Sequence, residues 1–281
     1  MALDQDFESS TELATEKEMT FIDHIEELRW HLIRSVIAVF SFTMLAWVYK
    51  KEIFGDVIMG PSKADFWTNK MLCKVAALLH IDGLCFQQAN FILQSREVSG
   101  QFIMAITQSL TVGVLFSFPY FFWEIWRFVT PGLKQSESAA ARGAVFFVSL
   151  LFFMGVAFGY FVVAPMAINF LASFKLDESI QNQFDINDYI SLLVTLTLSC
   201  GLTFQLPMVS YVLSKIGILT PSLMREYRRY ALVVILIVAA IITPSPDMIS
   251  QLLVATPLAI LYEVGILVSA KVYLNRMKAM L

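Results

Sequence analysis

Long apolar runs constrain this chain more than any other feature of its sequence. A transmembrane helix needs about 20 mainly apolar residues to cross a hydrocarbon core about 30 Å thick. Four runs meet that requirement, and they are Leu32–Val48, Phe102–Trp126, Ala144–Phe174 and Tyr189–Leu213. Of the 281 residues, 57% are hydrophobic and only 15% are charged, whereas soluble domains carry about 25% charged residues. The sequence therefore predicts an all-α integral membrane protein.

Two further apolar runs, Ala231–Ile242 and Leu252–Val268, are short. The first would form only about 18 Å of helix at 1.5 Å per residue, and the second is interrupted by Pro257 and Glu263. The pair fits either a re-entrant hairpin or two crossings in a locally thinned bilayer.

Basic residues decide between these alternatives, because they fall on alternate connections between the apolar runs. The segments on one side contain 13 lysines and arginines, whereas the opposite short segments 175–188 and 243–251 contain only Lys175. Cytoplasmic segments of membrane proteins are enriched in Lys and Arg. We therefore predict six membrane-spanning helices with both termini in the cytoplasm.

Prolines interrupt the apolar runs and predict the shape of the helices. Pro119, Pro165, Pro207 and Pro257 each remove a backbone donor inside or near a run, so we expect kinks there. The spans should be unequal in length, with the last two short, and should form a concave arrangement. The run Ala144–Phe174 is too long for one straight span, so its part after Pro165 is expected to emerge into solvent.

The ends of the chain and its longest loop complete the predicted organisation. Residues 1–19 contain six acids and one base, which is typical of a disordered, solvated tail. Residues 20–270 form the membrane domain, which includes a long outer loop at about 50–101. Residues 271–281 form a short basic tail in the cytoplasm.

Cysteines lie in two different environments. Cys73 and Cys85 are in the outer loop, and Cys200 is in the fourth apolar run. An oxidising compartment permits a disulfide between the first two, but two free thiols on an amphipathic loop helix fit the sequence equally well.

Three polar residues lie at or near membrane depth, where a charge costs at least about 2.5 kcal/mol. Glu124 is near the cytoplasmic end of the second span, where Arg127 or its neighbours could neutralise it. Gln205 precedes a proline in the fourth span and Glu263 lies in the sixth. Each of the three could instead satisfy backbone groups at a kink. Asp247, on the outer side, could equally cap the helix that follows it.

Several functional classes find little support in the sequence. The net charge is only −3, and no Gly-rich phosphate loop, CxxC pair or HExxH helix is present, so no nucleic acid, cofactor or metal is expected. A secondary transporter would need charges converging at the midplane. An intramembrane protease would need a Ser/His dyad, an Asp pair or a metal helix, and all three histidines lie outside the predicted spans. We therefore predict no enzymatic activity.

The segment before the first span carries most of the charged residues near the cytoplasmic face. Residues 20–34 predict a helix with a narrow apolar stripe. Glu27 lies on one flank beside two histidines, whereas Glu26 and Arg29 lie on the other. On pattern alone, this is an interfacial helix with solvated charges.

Several motifs, in the same order, resemble the TatC family of twin-arginine protein translocase subunits. HIEELRWHLIR at 24–34 matches the family's amino-terminal signature through Glu27, Leu28 and Arg29. PYFFWEIWRFVTPGLKQSE at 119–137 matches its first cytoplasmic loop through Pro119, Trp126, Phe128, Pro131, Leu133 and Glu137. Gly60-Pro61, AFGYFVVAPMAINFL, FQLPM, ITPSPDMISQ and YEVG also resemble family segments.

The resemblance implies that Glu27 and Glu137 bind the paired arginines of a signal peptide, with Arg29, Phe128 and Leu133 in the same surface. It implies structural or assembly roles for Pro61, Pro119, Trp126, Pro131, Gln205, Pro207, Asp247 and Glu263. Many relatives have an acid where this chain has Gln205. The implied setting is the bacterial inner membrane, where TatA- and TatB-type single-span proteins and further copies of the chain would assemble and the proton-motive force would drive export of folded proteins.

Overall fold

The computed structural model describes residues 21–63, 66–68, 70, 71, 73, 74, 92–129, 138–177, 182–243 and 248–280. The helices follow one another in the order α1 Phe21–Val48, α2 Lys50–Glu52, α3 Gly100–Val129, α4 Ser138–Phe158, α5 Ala164–Ser173, α6 Ile186–Thr203, α7 Leu206–Ile216, α8 Pro221–Glu226, α9 Arg228–Ile242 and α10 Met248–Met280. Two short strands, β1 Ile92–Gln94 and β2 Gln183–Asp185, pair in parallel with Ile92 opposite Gln183.

Membrane-spanning helices account for most of the described residues. Five stretches are long and apolar enough to cross a bilayer, and they are Ile25–Val48, Gly100–Phe128, Gly143–Ser173, Ile186–Ile216 and Gln251–Asn275. Helix α9 adds a shorter apolar helix of 15 residues, which covers about 22 Å and needs a locally thin bilayer. The predicted all-α, six-helix membrane fold is confirmed.

The last helix differs from the sequence prediction, because it is not short. Helix α10 has 33 residues and continues through Pro257 and Glu263. The apolar run within it ends at Val268, but residues 269–280 contain no Gly or Pro that would end a helix. The predicted tail after residue 270 is therefore a helical extension over its described part.

The third span bends instead of ending at its proline. A π-helical turn, Gly159–Val163, joins α4 to α5, and Pro165 occupies the first turn of α5. The expectation that the chain emerges into solvent after Pro165 is wrong, because Ala164 through Asn169 are all buried. The Tyr189 hydroxyl at the start of α6 donates to the Ile58 carbonyl at 2.7 Å, so the segment after α2 packs over this region.

The core lies between α5, α6, α9 and α10. Its buried side chains are mainly aliphatic, and they include Val163, Ile190, Leu196, Ala239 and Leu258. The outward-facing side chains of the spans, such as Phe40, Val233 and Ile241, are also apolar and exposed. Apolar residues on both the inner and outer faces of a helix are what a lipid environment requires.

Helices α1 and α3 form a closely packed antiparallel pair. Near one end Trp47 lies edge-to-face with Phe102, and in the middle Phe42 stacks on Phe116. Between these contacts the backbones approach so closely that a Cβ added to Gly113 would lie 2.8 Å from the Thr43 backbone nitrogen. This pairing brings the start of α1 and the end of α3 to the same side of the membrane.

Candidate functional site

A buried polar cluster joins the start of α1 to the end of α3. His31 Nδ1 is hydrogen-bonded to Glu124 Oε2, and the Tyr120 hydroxyl donates to Glu124 Oε1 at 2.8 Å. Glu124 is 1% exposed and His31 is 7% exposed. Since a buried carboxylate is stable only when it is paired and hydrogen-bonded, these contacts fix the register of the two helices.

Two of the predicted binding residues lie one helical turn beyond this cluster, towards the same end. Glu27 precedes His31 by four residues on α1, and Phe128 follows Glu124 by four residues on α3. The ring centroids of His31 and Phe128 are 6.1 Å apart at 65°, an edge-to-face contact. Because α1 and α3 are antiparallel, an acid and an aromatic residue distant in sequence share one end of the helix pair.

Glu27 is more buried than the charged residues next to it in sequence. Glu27 is half-buried, whereas Glu26 and Arg29 are exposed. Glu27 therefore lies closest to the helix interface, as expected for an acid that takes part in a structured surface.

The other half of the predicted site is not described by the structure. Pro131, Leu133 and Glu137 lie outside the described residues, as does Asp247. Their predicted roles stay predictions.

His31 does not lie where the sequence predicts. All three histidines were expected outside the spans, yet His31 lies within the apolar stretch Ile25–Val48 and is buried. It also bonds the carboxylate of Glu124, for which Arg127 or a neighbour of Arg127 was the expected partner. The Arg127 guanidinium instead lies 5.9 Å from the centre of the Trp123 ring. The apolar pattern of α1 gave no signal for this burial, because Leu28 and Leu32, the leucines nearest to His31, are themselves exposed.

Several residues with predicted structural roles lie in the described part of the chain. Pro61 is fully buried, and Trp126 is buried and stacks on Phe122. Pro119 lies inside α3. Glu263 pairs with Arg228 at 2.7 Å, with both side chains about half exposed.

Gln205 lies at the break between α6 and α7, with Pro207 in the first turn of α7. Its Nε2 donates to the Val148 carbonyl of α4 at 3.1 Å. A neutral amide at this position therefore supports a neighbouring helix. A carboxylate could not make this bond, because it has no donor.

The two described cysteines differ in their bonding. Cys73 is disulfide-bonded and Cys200 is a buried free thiol. Cys85 lies outside the described residues, so the pairing of Cys73 with Cys85 stays a prediction.

Comparison with known proteins agrees with this arrangement. The family described as Sec-independent protein translocase protein (TatC) matches residues 23–257. The chain belongs to the TatC family. A TatC from Blattabacterium sp. subsp. Periplaneta americana is 39% identical over 254 residues, which cover 90% of this chain and 95% of the relative. A TatC from Carboxydothermus hydrogenoformans is 34% identical over 254 residues, covering 90% and 94%.

Solved TatC structures have the same fold. A crystal structure of the twin-arginine translocase receptor TatC in the detergent DDM matches with a TM-score of 0.67 at 29% identity, covering 87% of this chain and 98% of that one. A second crystal structure of the receptor matches with a TM-score of 0.62 at 28% identity, covering 88% and 97%. This TatC-family chain is therefore a multi-pass inner-membrane subunit of a Sec-independent protein translocase, in a family that transports rather than catalyses.

Proposed function

We propose that this chain is a receptor for twin-arginine signal peptides, and that the arginine pair binds at Glu27 and Glu137. The observation that carries the proposal is the shared position of Glu27 and Phe128, held together by the buried His31–Glu124 pair. An acid beside an aromatic surface suits a peptide in which arginines are followed by apolar residues.

The chemistry of arginine supports two separated carboxylates as its partners. A guanidinium is always charged, and its planar fork matches a carboxylate through two parallel hydrogen bonds. Lysine has the same charge but lacks the fork. Two acids would therefore favour an Arg-Arg pair over a Lys-Lys pair, with Arg29 and Leu133 lying in the surrounding surface.

The proposed orientation puts both termini in the cytoplasm. The excess of bases on one set of segments supports it, and it would place the Glu27 end of α1 and α3 where precursors are made. TatA- and TatB-type single-span proteins, together with further copies of this chain, are the proposed partners. The proton-motive force is the proposed energy source, since a membrane potential supplies about 2.3 kcal/mol per charge per 100 mV.

Site-specific crosslinking tests the binding site. A twin-arginine signal peptide with a photoreactive residue next to the arginines is presented to inverted membrane vesicles containing the chain. Glu27→Gln with Glu137→Gln should reduce crosslinking by tenfold or more, since each charged hydrogen bond contributes about 1.5–3 kcal/mol.

Glu26→Gln is the matched control, because Glu26 is the adjacent acid but is exposed. It should crosslink as well as the native chain. Full crosslinking and export in the double Gln variant would disprove the assignment. An equal loss of crosslinking in the Glu26→Gln control would show that any loss of negative charge weakens binding, and this would also count against the assignment of Glu27 and Glu137.

A secondary transporter of a small solute is the alternative function. The family membership does not favour it, and the polar cluster of His31, Glu124 and Tyr120 lies at one end of its helices instead of at a midplane site.

A further inference from the structure

Two exposed arginines lie near the Glu27 end of the α1–α3 pair. Arg34 is on α1 and Arg127 is on α3. Among the described residues, neither arginine takes part in an ion pair or a hydrogen bond. Arginines in or beside a membrane span are normally paired with an anion or extended towards the lipid headgroups. The two guanidinium groups therefore favour a negatively charged ligand.

The side chains of these arginines converge on one face of the helix pair. A helical side chain leans towards the amino terminus of its helix, so in this antiparallel pair Arg34 leans towards the Glu27 end and Arg127 leans towards the membrane centre. The Arg127 guanidinium accordingly lies 5.9 Å from the centre of the Trp123 ring, four residues earlier on α3. Both arginines are close enough to the Tyr120 hydroxyl to interact with it electrostatically. The two positive charges thus approach each other from opposite directions.

The carboxylate nearest to Arg34 is already occupied. Glu124 interacts electrostatically with Arg34, but its two oxygens are hydrogen-bonded to His31 and to the Tyr120 hydroxyl. Glu124 is also only 1% exposed, whereas Arg34 is exposed. Glu124 therefore leaves the exposed side of the guanidinium open to an external anion.

Tryptophans place this face at the boundary of the hydrocarbon core. The stretch Gly100–Phe128 has 29 residues and a length of about 43 Å, which exceeds a core of about 30 Å. Its last turn and a half therefore lies near the headgroups. Trp123 is 43% exposed there, and Trp30, one turn before Arg34 on α1, is 55% exposed. Tryptophan is enriched at this depth of the membrane.

The same face becomes apolar towards the membrane centre. Phe116, Tyr120 and Trp123 have the spacing of one face of a helix. Phe116 is the deepest of the three and is 59% exposed. A face that is positively charged at the core boundary and apolar below suits an amphiphile with an anionic head.

We propose that this face of α1 and α3 binds an anionic phospholipid of the leaflet at the Glu27 end. Its phosphate lies between the guanidinium groups of Arg34 and Arg127, since the planar fork of arginine matches phosphate oxygens through two hydrogen bonds. An acyl chain contacts Phe116. A headgroup that ends in an ammonium fits less well, because it would add a third positive charge beside the two arginines.

Native mass spectrometry of the full chain in detergent tests this site. Phosphatidylglycerol, phosphatidylethanolamine and glycerol 3-phosphate are titrated separately, and the affinity of the tightest bound molecule is measured. The native chain should bind phosphatidylglycerol about tenfold or more tightly than phosphatidylethanolamine, and glycerol 3-phosphate only weakly. Equal affinity for the two lipids would overturn the proposal, and tight binding of glycerol 3-phosphate would show a site for soluble phosphate instead.

Variants locate the bound lipid. Arg34→Gln with Arg127→Gln should weaken the tightest phosphatidylglycerol by about tenfold or more, since two charge-assisted contacts are lost. The control is Arg225→Gln with Arg229→Gln, which removes the same charge from two exposed arginines of another base-rich segment and should leave the affinity unchanged. Unchanged binding in the Arg34 and Arg127 variant would overturn the proposal, as would an equal loss in the control.

Photolabelling of the native chain keeps the test valid if the double variant does not fold. Phosphatidylglycerol with a photoreactive group in its headgroup is added to the full chain in detergent, and the labelled peptides are identified by mass spectrometry. The label should map to residues 30–41 and 116–127, and unlabelled phosphatidylglycerol should displace it better than phosphatidylethanolamine does. A label confined to other segments would contradict the site.

Discussion

His31 and Glu124 show how one pair of residues positions a surface that neither belongs to. Their side chains are 9% and 1% exposed and meet across 93 residues of sequence. The contact fixes α1 against α3 and thereby brings Glu27 beside Phe128. A change in either residue should therefore affect both stability and signal-peptide binding.

The first prediction concerns this pair. Glu124→Leu leaves His31 buried without its acceptor, which should cost about 3–5 kcal/mol and lower the thermal denaturation midpoint of the detergent-purified chain. His31→Leu combined with Glu124→Leu removes both partners, so it should be less damaging than the single change.

Glu97→Leu is the control for the buried pair. Glu97 is exposed, lies outside the membrane-spanning stretches and accepts one long hydrogen bond, from Asn187 Nδ2 at 3.4 Å, and surface substitutions of this kind change stability by about 0.5 kcal/mol or less. Its midpoint should stay close to that of the native chain. If the double variant at His31 and Glu124 were the least stable of all, the pair would not act as a coupled unit.

At the scale of helices, close backbone approach depends on individual glycines. The second prediction is that Gly113→Ala separates α1 from α3, because the added Cβ would lie 2.8 Å and 2.9 Å from backbone atoms of Thr43. Overpacking of this kind costs about 1–3 kcal/mol. Both the denaturation midpoint and signal-peptide crosslinking should fall.

Gly143→Ala is the control for this substitution. Gly143 is also helical, but an added Cβ meets no atom within 4 Å there. Because Ala favours helix over Gly by about 1 kcal/mol, this variant should be at least as stable as the native chain. A harmless Gly113→Ala would contradict the packing of α1 on α3.

The lengths of the helices were predicted less well than their number. The apolar runs located all six spans, since the bilayer selects for hydrophobicity over a set distance. Hydrophobicity does not report where a helix ends, so α10 was predicted too short. The bend at Gly159–Val163 keeps α5 buried, and it depends on packing against α6 that no single segment encodes.

At the scale of the whole molecule, orientation is the property that the proposed function needs. The third prediction is that the chain has both termini in the cytoplasm. Green fluorescent protein fused after residue 281 should fluoresce, and alkaline phosphatase fused after Lys175 should be active, because each reporter folds only in its own compartment.

A phosphatase fusion after Gly217 serves as the comparison, because this residue follows α7 on the base-rich side. The fusion after Gly217 should have no phosphatase activity. The reverse pattern, with activity after Gly217 and none after Lys175, would invert the topology and place Glu27 on the wrong side for a receptor.

The sequence by itself determined the membrane class, the six spans, the family motifs and the candidate acids, because each of these is written in local composition or in short, ordered segments. Tertiary structure alone decided which of those residues meet. The sequence predicts that His31 lies outside the spans, and only the antiparallel pairing of α1 with α3 buries it against Glu124. Contacts between residues far apart in the chain depend on how helices pack, and helical periodicity within a segment does not report that.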